Sequence, residues 1–96
     1  MAKAMKAHQA ALLPGTRVSI REDSKFFGQD KGAGTIVMGE DAIKARHTRA
    51  LAHGWVGPVP DVIKEHVLFA ELMGYYWVQF DSGYVNDYPE GDLDIL

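Results

Sequence analysis

The sequence predicts a small, mainly β domain of α+β content: five short antiparallel strands forming a barrel, with two helices inserted between the second and third. Three observations carry this. Ninety-six residues suit one domain and are too few for two ordinary ones. Apolar and polar residues alternate over short stretches near both ends of the chain, the period of half-buried strands. The middle third changes to a helical period, without the β-α-β alternation that signals a parallel sheet.

The elements follow in order. Residues 1–13 begin MAKAMKAHQAAL, where Met1, Met5, His8 and Leu12 recur at helical spacing; a short amphipathic helix and a frayed tail both fit. Pro14-Gly15 punctuates the chain, and residues 14–96 make up the domain. Thr16–Arg21 alternates with Val18 and Ile20 on one face. A polar connection follows, in which Gly28, Gly32 and Gly34 supply the backbone freedom of turns. Thr35–Met38, TIVM, has the β-branched composition of a second strand.

Residues 40–73 break this pattern as a helical hairpin. In Glu40–His53, Ile43, His47, Ala50 and Leu51 share one stripe, with Arg46, Arg49 and His53 on the adjacent face. Gly54 is a natural stop. Asp61–Met73 presents Val62, Ile63, His66, Val67, Phe69, Ala70 and Met73 as one broad apolar face, with Lys64 and Glu71 opposite, and Gly74 ends it. The β period then returns: Tyr76, Val78 and Phe80 fall on one face of Tyr75–Phe80, and Tyr75, Trp77 and Gln79 on the other. Asp81-Ser82-Gly83 is a hairpin turn whose glycine sits where φ turns positive. Tyr84–Tyr88 pairs back, Pro89-Glu90-Gly91 turns again, and Leu93, Ile95 and Leu96 form a closing strand.

Composition narrows the function classes. Without cysteine there is no disulfide framework, thiolate zinc site or cysteine nucleophile, and a reducing, cytoplasmic setting fits. No apolar run is long enough for a secretory or membrane-spanning segment. The net charge of −3 divides unevenly: residues 1–50 carry nine basic and five acidic groups, residues 51–96 one basic and eight acidic. Such a chain attracts either sign of partner.

The strand words PGTRVSI, FGQDKGAGTIV and WVQFDSGYVNDYPEGDLDIL resemble SH3-like small barrels of the Tudor, KOW and especially Mind-bomb repeat type. Gly15, Arg17 and Val18 match the repeat's first element; Phe27, Gly28, Gln29 and Asp30 match its loop. Gly34, Thr35 and Val37 match the next strand, and Val78, Phe80, Asp81, Gly83, Tyr88, Asp92 and Leu93 the final hairpin and strand. Phe80 stands where the repeat has Trp, and Gly39–Gly74 has no counterpart. The resemblance implies a five-stranded SH3-like barrel that binds peptides, modified side chains or nucleic acids. The short, helix-enlarged construction also resembles accessory proteins of bacteria or their phages.

Two residue sets are candidate sites. Phe26, Phe27, Tyr75, Trp77, Tyr84 and Tyr88 lie on segments that line the groove of SH3-like barrels, where ring faces take prolines, cations or bases. Most should fill the core. Trp77 and Tyr75, opposite the Tyr76/Val78/Phe80 stripe, are expected to be the exposed ones. The second set, Lys44, Arg46, Arg49 and His53, could contact phosphates from one helix, although such charges more often form a solvated face. The histidines lack metal-ligand spacing, and GQDKGAGT is neither a P-loop nor a dinucleotide fingerprint. Asp81, Asp87, Glu90, Asp92 and Asp94 cluster without a pocket, so they suit solubility or partner contact over catalysis. The expectation is a non-catalytic module with no metal or cofactor that binds a protein or peptide, with nucleic-acid association through the Arg46/Arg49 face as the alternative.

Overall fold

A computed structural model describes residues 12–28 and 32–96. Residues 1–11 of the helix or tail expected over residues 1–13, and Gln29 and Asp30 of the resembling loop, lie outside the described residues. The chain forms β1 (Arg17–Ile20), β2 (Ala33–Val37), α1 (Gly39–Ala52), α2 (Asp61–Leu72), β3 (Tyr76–Phe80), β4 (Val85–Tyr88) and β5 (Leu93–Ile95), the last preceded by a single 3₁₀ turn, Glu90–Asp92. The strands make one antiparallel sheet in the order β4-β3-β2-β1-β5. Five antiparallel strands with two helices between the second and third match the sequence expectation. The sheet's hydrogen bonding leaves β4 and β5 as edges and does not close it into a barrel.

Local chemistry explains the boundaries. Glu40 and Asp41 occupy the first turn of α1 and Arg49 its last turn, each complementing the helix dipole. Both helices end alike. Gly54 takes φ +102 after α1 and Gly74 φ +77 after α2. In each case the N–H one residue further on, of Trp55 or Tyr75, reaches back to the Ala50 or Ala70 carbonyl at 2.9 Å. Only glycine enters this conformation cheaply, so the stops after Ala52 and Leu72 are written into the sequence. Gly83, at φ +97, does the same for the β3–β4 turn.

Gly34 acts differently from the turn glycine expected of it. It lies inside β2, opposite Phe80, and a Cβ there would fall 2.6 Å from Val78 Cγ1 and 3.1 Å from the Gln79 carbonyl. The strand therefore starts at Ala33, earlier than the TIVM run indicates, because the missing side chain lets β2 and β3 approach.

The sheet is packed on both faces. On one, every strand contributes to a core of Val18, Ile20, Ile36, Val78, Phe80, Tyr88 and Leu93, joined by Leu12 and edged by Phe26 and Tyr76. On the other, α1 and α2 lie over β2, β3 and β4 and bury Ala42, Val67, Ala70, Trp77 and Val85. Trp77 is 2% exposed, which corrects the expectation that it faces solvent. The insertion folds back over the face that alternation alone leaves open. Tyr88 is fully buried as well, in edge-to-face contact with Phe26 and Phe80 at 5.4 and 6.0 Å.

Candidate functional site

The six candidate aromatics do not share one surface. Tyr88 and Phe26 belong to the core beneath the sheet, and Trp77 with half-buried Tyr75 to the layer under the helices. Phe27 and Tyr84 are exposed, but sit on the β1–β2 connection and the β3–β4 turn respectively.

The basic set behaves unexpectedly. The α1 face bearing Arg46, Arg49 and His53, for which phosphate contact and a solvated surface are the two readings of the sequence, turns toward the β3–β4 hairpin. Together with Ile63 of α2 and Gly83, Tyr84 and Val85 of the hairpin, these residues line a groove of about 450 Å³. Lys44 is not part of it and lies along a neighbouring hollow with Asp41, Thr48 and Gln79. One residue of the aromatic set, Tyr84, thus joins three of the basic set.

Each groove side chain is held by identifiable contacts. Arg46 passes 4.9 Å from the Trp77 ring centroid, a favourable cation–π arrangement. Its Nη2 donates to the Val85 carbonyl at 3.2 Å and to Asn86 Oδ1 at 3.3 Å, while its Nε is buried without a partner. Arg49 lies 5.9 Å from the Tyr84 ring centroid, and that ring is stacked on Phe80 at 6.3 Å. His53 Nδ1 lies 2.9 Å from the Arg49 carbonyl; a carbonyl only accepts, so Nδ1 carries the proton and Nε2 is left for other partners.

The four arginines of the chain divide into two kinds. Arg17 makes a bidentate pair with Asp81 at 2.7 and 2.9 Å, which holds the Asp81 carboxyl below its ordinary range, chiefly through these hydrogen bonds. Arg21 pairs with Asp23 and Asp94, and its hydrogen bond lowers Asp23 in the same way. Arg46 and Arg49 have no carboxylate within ion-pair distance among the described residues. The groove is therefore lined by positive charge that no described carboxylate compensates.

Two further histidines, His47 and His66, serve packing. His47 Nε2 is 3.0 Å from the Gly57 carbonyl and ties α1 to the interhelical loop. His66 meets the Trp77 ring edge-on at 5.3 Å and approaches Asp87 at 3.4 Å. Trp77 is thus enclosed by Arg46, His66 and the helices, with its indole N–H buried and unpartnered. Among the described residues, no group of three or more His, Asp or Glu is placed to hold a metal ion, and no helix is long and apolar enough to cross a membrane.

Sequence reasoning missed a second feature. The inner side of α2 presents Ile63, Val67 and Ala70 to the rest of the molecule, while Val62, Leu68, Phe69 and Leu72, with Met73 just beyond, are 53 to 77% exposed. The available signal was the width of the apolar arc: Leu68 and Leu72 extend it well beyond what one buried face requires. No family model, curated protein or solved structure matches the chain.

Proposed function

We propose that this chain is a non-catalytic binding module that engages a protein partner through the outer face of α2. One observation carries the reading. Five large apolar side chains on one helical surface, each more than half exposed, expose on the order of 500 Å², about the largest patch a typical monomer carries. Asp61 and Glu65 are exposed within this face, and Glu71 and Lys64 flank one side of it, so the complementary partner presents an apolar surface carrying lysine or arginine. The SH3-like relationship belongs to the same proposal. Its support is the pairing of the last strand with the first and a core filled from all five strands.

The test places a photo-crosslinking residue at Phe69 in the native host, with a control at Glu22. The expected result is one partner captured from Phe69 alone, whose purified form binds at least tenfold more weakly to Leu72→Asp. Position 72 is 77% exposed, so the fold tolerates the change. Equal capture from both positions, or unchanged affinity in Leu72→Asp, would sink the proposal.

A further inference from the structure

The groove between α1 and the β3–β4 turn is separate from that apolar face. We infer that it is a receptor for a small organic phosphate, with Arg49 as the gripping residue. The case begins with charge. Arg46, Arg49 and His53 project from successive turns of α1 toward one concavity, and no carboxylate lines it. This occurs in a chain whose overall charge is −3 and whose other two arginines are both ion-paired. Two guanidinium groups without a carboxylate partner, gathered in one groove, favour an anion there.

Geometry narrows the anion. Arg49 lies over a Tyr84 ring that is itself backed by Phe80, and its exposed guanidinium keeps its donors open toward the groove. Arg46 is anchored to β4 through Val85 and Asn86 and contributes fixed positive charge to the wall. His53 Nε2 accepts from a P–OH or, once protonated, donates to a phosphate oxygen. A doubly charged phosphomonoester offers Arg49 and His53 more acceptor oxygens than a carboxylate does.

Size and surroundings then separate a small ligand from a polymer. A groove of about 450 Å³ lies within the range of small-ligand sites. Ala45, Ala50, Ile63 and Val85 give it apolar walls for the organic part of such a ligand. The net charge of −3 disfavours a polyanion more than it does a single phosphate group.

The probes are adenosine monophosphate, adenosine, inorganic phosphate and a single-stranded thymidine oligonucleotide, titrated into the full chain and followed by NMR. Adenosine monophosphate is expected to shift the Arg49, His53 and Tyr84 resonances saturably, inorganic phosphate to compete, and adenosine to do nothing. Arg49→Gln should weaken binding about tenfold or more, while Arg17→Gln leaves it unchanged. The proposal is overturned if millimolar phosphate and adenosine monophosphate leave those resonances in place, or if Arg49→Gln binds as well as the parent. It is overturned equally if the oligonucleotide binds far more tightly than the mononucleotide with a salt slope of several phosphates, which would make the groove a nucleic-acid interface.

Discussion

The two faces of the sheet are built on different terms. Beneath it, large side chains from all five strands interlock around Phe80 and Tyr88. Above it, the helices meet the strands through two alanines, two valines and one large residue, Trp77, bordered by Arg46, His66 and Asp87. The first core is deep and wholly apolar, and every strand depends on it. The second is shallow, hinges on one ring and has a polar margin. Such a layer docks an inserted hairpin onto a sheet that already has its own core, and leaves the hairpin's outer surface free for other work.

This contrast can be broken by substitution. The largest effect is expected from Phe80→Ala, a loss of about 3–5 kcal/mol in urea denaturation, with sheet and helix signals lost together. Trp77→Ala should cost about 3 kcal/mol but act first on the helices, so that far-UV helical signal melts ahead of tyrosine fluorescence. If the two signals stay coincident in Trp77→Ala, the faces form one cooperative unit and the contrast is merely geometric. Gly34→Ala should cost about 1–3 kcal/mol, because the new methyl meets Val78 and the Gln79 backbone; an unchanged melting temperature would show that β2 and β3 can spread apart.

The smallest effect belongs to Asp81→Asn, which removes an exposed pair joining β1 to the β3–β4 turn. Arg17 depresses the folded-state carboxyl below its ordinary value of 3.8. The stabilisation is therefore present above that value and lost as pH falls through the depressed one. The variant should have a shallower acid limb in its stability profile and match the parent below it; an unaltered limb would remove the pair from the account.

Much of the architecture was legible because its signals are local. Alternation placed Val18, Ile20, Val78 and Phe80 correctly, and glycines 54, 74 and 83 marked their stops through backbone stereochemistry. Trp77 was misplaced for a physical reason. Period-two alternation tells which residues share a face, and says nothing of a layer delivered to the other face by a distant segment. The groove was legible in halves. Arg46, Arg49 and His53 could be grouped on one helix face, but their meeting with Tyr84 depends on how α1 lies against β4, which no local pattern encodes. Gly34 was misread because a glycine required for close approach resembles, in sequence, one required for a turn.

Arg46 has a consequence beyond the groove. β4 is an outer strand, and outer strands invite a neighbouring molecule to continue the sheet, the first step toward aggregation. The Val85 carbonyl is already taken by the Arg46 guanidinium, so an incoming strand would have to displace that side chain. The same side chain that charges the groove thus serves as a gatekeeper, and growth of the sheet by strand addition is discouraged along this border.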